Sequence, residues 1–191
     1  MTPYTLNRTA GPSAEPVTLA EARDHCEIIS TDTVHDTKLG RFIGAARELV
    51  ERETELVLMT QTYTVSVNAF QPYFHVPVRP IQSVSSITYY DADDTQQTVT
   101  STIYGLDATR QQVYLEYNQT WPTYTSRRNG IVITLVCGFG AADNIPNVLK
   151  QAILLKVGEW FDLDRGDARL MPTHGQGYRR LIDGFMRTSY P

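Results

Sequence analysis

The 191-residue chain is predicted to adopt an α+β fold, a small α-helical bundle with an inserted antiparallel β-sandwich or barrel module and an extended C-terminal tail. Three observations predict it. Residues 18–55 and 145–165 repeat their apolar positions at helical intervals, residues 60–136 between them switch to a period of two, and from Leu170 onward proline and glycine break any period. The implied organisation is an N-terminal arm over 1–17, a helical body assembled from 18–59 and 138–169, a β-module over 60–137 and a C-terminal docking tail over 170–191.

Residues 1–16 are polar and hold Pro3, Gly11, Pro12 and Pro16, which reads as an arm that stays extended unless a partner holds it. Helix one opens at Thr18, whose hydroxyl can cap the backbone N–H three residues on while Glu21 reaches back, forming a capping box. Leu19, Ala22, Cys26 and Ile29 keep helical spacing, and residues 30–32 break it. Helix two covers 34–55. Leu39, Phe42, Ile43, Ala46, Leu49 and Val50 take one side, and Arg41, Glu48, Glu51, Arg52 and Glu55 take the others. At roughly twenty residues and about 30 Å it is long enough to be the spine of the body.

The period then becomes two. Tyr63, Val65 and Val67 alternate with Thr62, Thr64 and Ser66. Val84, Ile87 and Tyr89 lead to a turn at Asp91-Ala92-Asp93-Asp94, and runs follow at 98–104, 112–117 and 131–136. Pro72, Pro77, Pro80, Gly105, Pro122 and Asn129-Gly130 punctuate these runs, the last a hairpin signal ahead of a strongly apolar strand. Helix three starts near residues 144–146, where Asn144 can cap and Pro146 favours initiation. Leu149, Ala152, Ile153, Lys156, Val157, Trp160 and Phe161 recur at helical spacing, and Gly166 supplies a stop. Beyond it Met171-Pro172 and Gly175-Gln176-Gly177 forbid a regular element, yet Tyr178, Leu181, Ile182, Phe185 and Met186 are too apolar for a discarded tail, and Arg179, Arg180 and Arg187 flank them. Two readings stand side by side: a basic amphipathic peptide that orders on a partner, and a tail folded back on its own core.

Composition narrows the function classes. With 41% hydrophobic and 20% charged residues the chain is globular, and it is long enough to bury a core without disulfides or metal. The net charge of −4 offers no electrostatic footprint for nucleic acid and is compatible with an acidic channel past which DNA slides. Cys26 and Cys137 lie far apart and read as buried free thiols in a reducing compartment. No signal peptide or membrane span is read, so a cytoplasmic site of synthesis is expected.

Each chemical motif has a simpler structural account. Gly138-Phe139-Gly140 follows an apolar strand, but the third glycine of a dinucleotide fingerprint would fall on Asp143, whose carboxylate repels a pyrophosphate, so the glycines read as a sharp turn from sheet to helix. Asp91, Asp93 and Asp94 resemble the start of a calcium loop, but Gln96 and Thr102 occupy the positions that need Gly and Glu, which leaves a solvated hairpin tip. His25, His35, His75 and His174 are scattered without ligand spacing, so no metal site is read. Arg165-Gly166-Asp167 reads as a helix stop. No nucleophile–base pair can be named, so neither enzyme activity nor a cofactor is expected. The eleven tyrosines suit strand faces and subunit interfaces, and could also stack on sugars or bases.

The segments 16–22 (PVTLAEA), 42–51 (FIGAARELVE) and 145–155 (IPNVLKQAILL) resemble the head–tail connector (adaptor, head completion) proteins of long-tailed bacteriophages and gene transfer agents. Between them, 80–89 (PIQSVSSITY) is similar to the family's first module strands, and 129–134 (NGIVIT) before 137–140 (CGFG) to its last. The likeness covers most of residues 16–161 and rests on the order and spacing of these motifs. It implies a non-enzymatic virion structural subunit that forms a ring, typically of twelve copies, between portal and tail in the neck region, present in the host cytoplasm during assembly. Its implied partners are further copies of itself, the portal protein, and a tail terminator or stopper protein. DNA would pass through the channel without sequence-specific binding, and no membrane is involved. In the same terms the ending Tyr178, Arg179, Arg180, Leu181, Ile182, Phe185, Met186 and Arg187 is similar to the family's portal-docking segment, while Phe42, Leu49, Leu149, Ile153, Trp160 and Phe161 would pack subunits together. The competing class is a carbohydrate- or surface-binding β-module on a helical stalk, which exposed aromatics clustered on one sheet face would favour.

Overall fold

A computed structural model describes residues 4–164 and 174–186. The chain divides into two compact units, Met1–Pro12 with Thr60–Phe139 and Ser13–Met59 with Gly140–Pro191, so the backbone passes between them three times.

The first unit is built of strands β1 (Thr5–Ala10), β2 (Gln61–Val67), β3 (Tyr73–His75), β4 (Ile81–Tyr90), β5 (Gln96–Thr98), β6 (Tyr104–Asp107), β7 (Gln112–Leu115) and β8 (Ile131–Cys137). A five-stranded sheet runs β1-β2-β8-β4-β5 and a three-stranded sheet runs β3-β7-β6, with all pairings antiparallel. Both sheets are open, which removes the barrel alternative. β8 is the central strand, with Val65 opposite Ile133 on one side and Ile87 opposite Ile133 on the other. Its residues Ile131, Ile133, Leu135 and Cys137 alternate strictly inward, as a half-covered strand requires.

Three strand assignments differ from the sequence reading. The 1–17 stretch read as an arm contributes Thr5–Ala10 as an edge strand on β2. Its side chains are mostly exposed and polar, so it is held by backbone hydrogen bonds and leaves no apolar alternation to read. The run read at 98–104 splits into the end of β5, a 3₁₀ turn at Ser101–Ile103 and the start of β6. β3, three residues between prolines, was not foreseen; it is anchored by one buried side chain, Phe74.

The second unit holds α1 (Leu19–His25), α2 (Asp36–Thr54), α3 (Asn147–Asp164) and α4 (His174–Ile182). The capping box at Thr18 forms: Glu21 N–H donates to Thr18 Oγ1 at 3.2 Å and Thr18 N–H donates to Glu21 Oε2 at 2.6 Å. These bonds hold the Glu21 carboxyl below its ordinary value, the backbone bond from Thr18 being the largest cause. α1 ends four residues before Ile29, with Glu27 in the left-handed region at φ 55°. α2 and α3 run antiparallel: Lys38 pairs with Asp164, His35 meets Phe161 edge-on at 5.3 Å, and Phe42 meets Trp160 at 6.0 Å. Leu39, Ile43, Ala46, Val50, Leu149, Ala152, Ile153, Val157 and Phe161 are fully buried on the apolar stripes of the two helices.

α4 crosses the glycine segment that was expected to exclude a regular element. Each interior glycine costs a helix about 1 kcal/mol relative to alanine. Burial of Tyr178 and Ile182 opposes that cost, at about 1.5–3 kcal/mol for a side chain such as Ile182. Residues 174–182 are thus α-helical and lead into a 3₁₀ turn at Asp183–Phe185, in place of an extended tail over that stretch.

Candidate functional site

The C-terminal helix α4 carries most of the residues that the sequence reading assigns to partner docking. α4 packs on α3 and on α2. Its amphipathicity assigns each residue a side. Tyr178 and Ile182, one helical turn apart, point into the unit. Lys156 Nζ stands 4.6 Å from the Tyr178 ring centroid and pairs with Glu159 at 2.8 Å. Burial, and then the Glu53 carboxylate facing it, push the Tyr178 phenol well above its ordinary pKa. Arg179 and Arg180 are exposed, and Leu181, Phe185 and Met186 are half-exposed. Of the eight residues expected to dock a partner, two therefore anchor the helix, five form a basic and partly apolar outer surface, and Arg187 lies outside the described residues.

The six residues expected to pack subunits separate in the same way. Leu149, Ile153 and Phe161 are buried within this unit, whereas Phe42, Leu49 and Trp160 remain half-buried. Sequence reasoning missed a more exposed set. Ile29 and Val34, in the connection between α1 and α2, are 75% and 83% exposed, and Leu19, Val148 and Leu163 are also open. The signal was present in Ile29 and Val34, which the helical reading absorbed into helices one and two.

A second missed feature is a buried ionic hub. Arg47, on α2, is 6% exposed; its Nε donates to Glu15 Oε2 and its Nη1 to Glu51 Oε2, each at 2.8 Å, with Glu48 at 3.6 Å. Glu51 Oε1 also accepts the Leu58 N–H at 2.9 Å. The hub ties residue 15, which precedes α1, to the middle of α2 and to the strand of chain that follows it.

The remaining motifs resolve into structural roles. Asp91 accepts from the N–H groups of Asp93 and Thr95 and from Gln97 Nε2 at 2.9–3.0 Å, which holds its carboxyl low and shapes the β4–β5 turn. Arg127 braces that turn, pairing with Asp94 at 2.6 Å and lying 3.9 Å over the Tyr90 ring. Gly138 and Gly140 take φ 119° and 104°, the left-handed turn from sheet to helix that only glycine makes without strain. Cys26 is half-buried; Cys137 is buried, and burial pushes its thiol up to about 12. Among the described residues no three His, Cys, Asp or Glu side chains group as metal ligands, and no helix is long and apolar enough to cross a membrane. Arg165-Gly166-Asp167 lies outside the described residues.

No protein-family model and no curated protein sequence matches the chain. Solved structures do. A chain in the neck of an empty gene transfer agent (GTA) particle, computed with C6 symmetry, superimposes with a TM-score of 0.78 at 20% identity, covering 98% of this chain and 97% of that one. A chain from the virion of a native gene transfer agent particle gives 0.76 at 21%, and one from the neck of a native particle computed with C12 symmetry gives 0.76 at 22%, with the same coverage. The likeness spans both units and extends to α4, and at these identities it establishes the fold.

Proposed function

We propose that this chain is a structural, non-enzymatic subunit of a virion neck: a head–tail connector that closes with further copies of itself, twelve being the expected number, into a ring between the portal and the tail of a gene transfer agent or bacteriophage. DNA passes through the ring's channel without sequence-specific binding, and a stopper or tail terminator protein docks on its far side. The supporting observation is the shared fold over 98% of the chain with chains of gene transfer agent necks, whose structures were computed with sixfold and twelvefold symmetry.

Surface chemistry agrees with this reading. A ring needs two different patches on each copy, because head-to-tail contacts close only when unlike surfaces meet. The exposed Ile29 and Val34, and the half-buried Phe42, Leu49 and Trp160, offer area for neighbouring copies. α4 holds Arg179, Arg180, Leu181, Phe185 and Met186 outward for the portal, with Tyr178 and Ile182 as its foot. A net charge of −4 suits a channel that must let DNA slide, since each phosphate neutralised adds affinity.

Negative-stain microscopy and light scattering of the chain mixed with the portal protein of its own particle test the proposal. The expected result is a ring on the portal, with the connector contributing a mass near twelve times the 21.5 kDa chain. Replacing Arg179 and Arg180 with Glu should abolish the complex while leaving the fold intact. Absence of any portal complex at all concentrations would overturn the reading.

A further inference from the structure

We propose that the outer face of the three-stranded sheet is a glycan-binding cleft for a neutral hexopyranose chain. The argument starts from register. Leu115 N–H donates to Pro72 O and Val76 N–H to Gln111 O, so Tyr73–Tyr114 and His75–Gln112 are non-hydrogen-bonded pairs between them, the geometry that brings facing side chains closest. Alternation sends Phe74 and Val113 to the buried side. Tyr73, His75, Gln112, Tyr114 and Asp107 share the opposite, solvent face.

Two features make this face a built platform. Tyr73 is 55% exposed. Tyr114 lies across Gly105, its Cα partner on β6, where a Cβ would stand 2.6 Å from the phenol and 2.5 Å from Glu116 Oε1. The Glu116 carboxylate beside that phenol raises its pKa. Two adjoining hollows flank the pair. One, of about 540 Å³, lies on the outer face and is lined by Pro72, Tyr73, Asp107, Arg110, Gln112 and Tyr114; the other, of about 400 Å³, opens at the β3 edge, where the inward Phe74 and Val65 join Tyr73, His75 and Gln112 in its wall. Tyr73 and Gln112 belong to both, so the hollows adjoin across β3 and suit an extended ligand.

Aromatic faces are electron-rich, and the C–H faces of a pyranose ring pack against them, while carboxylate and amide side chains in the same layer bond its hydroxyls. Asp107 accepts the Arg110 N–H at 2.9 Å and stands 3.9 Å from the Arg110 side chain, while Glu116 adds a second carboxylate beside Tyr114, so the cleft holds more acid than base, which repels an acidic sugar and leaves a neutral one favoured. The proposal concerns the β unit alone and stands apart from ring assembly.

The full chain, ¹⁵N-labelled, is titrated with cellohexaose, chitohexaose, maltohexaose and mannohexaose and, separately, with a proline-rich decapeptide. At least one hexaose should shift amides of β3, β6 and β7 with a Kd at or below about 1 mM. Tyr73→Ala should weaken it by about tenfold. Gly105→Ala, which displaces the Tyr114 platform without deleting a ring, should weaken it similarly. Tyr117→Ala, at an exposed tyrosine outside both hollows, should leave it unchanged. No response to any hexaose, insensitivity to Tyr73→Ala, or shifts from the peptide alone would each overturn the proposal.

Discussion

Replacing Arg47 with Met removes a buried cation while keeping an unbranched side chain of helical preference. Three carboxylates surround the guanidinium, but they do not lose equally. Glu48 and Glu15 keep 60% and 35% of their side-chain exposure and can turn to water, whereas Glu51, at 12%, stays confined and keeps the Leu58 N–H as a donor. Orphaning a buried charge costs about 3–5 kcal/mol, and because Glu51 keeps a donor and the other two can relax, we expect the lower end, about 3 kcal/mol. The double variant Arg47→Met/Glu51→Gln should recover about 2 kcal/mol of that, the coupling that a double-mutant cycle isolates. The assay exploits the chain's two tryptophans, Trp121 in the β unit and Trp160 in the helical one. In a Trp121→Phe background, urea unfolding followed by fluorescence reports the helical unit alone. With a slope near 2 kcal/mol/M, the midpoint should fall by about 1.5 M for Arg47→Met. A fall under about 0.3 M, or a double variant no more stable than the single, would refute the view that this hub holds residue 15 and Leu58 to α2.

Thr18→Ala should cost about 1 kcal/mol through the lost cap, read by urea unfolding at pH 7. The Glu21 carboxyl is lowered in the folded state, so its contribution is present above the unfolded value near 4.5 and is lost as pH falls through the folded one; the gap between wild type and Thr18→Ala should therefore narrow below about pH 4, and a gap that widens on acidification would contradict the capping geometry. Native alkylation with iodoacetamide at pH 8 should label Cys26 and spare Cys137, whose thiol is buried and raised to about 12; mass spectrometry showing equal rates would contradict the packing of β8. Ile182→Ala should destabilise the helical unit by about 2–5 kcal/mol, whereas Arg179→Glu with Arg180→Glu should stay within about 0.5 kcal/mol, a contrast that thermal unfolding resolves.

Periodicity carried the large elements because their faces are half-covered. β8 alternates Ile131, Ile133, Leu135 and Cys137 inward, and α2 and α3 bury unbroken stripes, so period and environment agree. β1 escaped because an exposed edge strand is selected by backbone pairing, which leaves no trace in the side chains of Thr5, Asn7 or Thr9. α4 was hidden by Gly175 and Gly177, whose local penalty is overridden by two buried side chains contributed from three and seven residues further on. The same override decides the site: the spacing of Tyr178 and Ile182 is legible, but whether that stripe meets its own core or a partner is a tertiary fact. The outward tyrosines of β3 and β7 were visible only as composition until register placed Tyr73 opposite Tyr114.

The placement of β8 also governs when this molecule can fold as it is made. The strand at the middle of the five-stranded sheet is the last of the five to leave the ribosome, and until it does, β1–β2 and β4–β5 are separate two-stranded ribbons, which are marginal in water. Residues 5–10 wait for partners more than fifty positions downstream, at residues 62–66, and those in turn wait for residues 131–137. The five-stranded sheet therefore stays open until β8 exists, and then closes around a single late insertion with pairings of high sequence separation, the kind that form slowly. The β unit thus reaches its finished surfaces only once β8 has been made, so any contact that depends on those surfaces follows that late step.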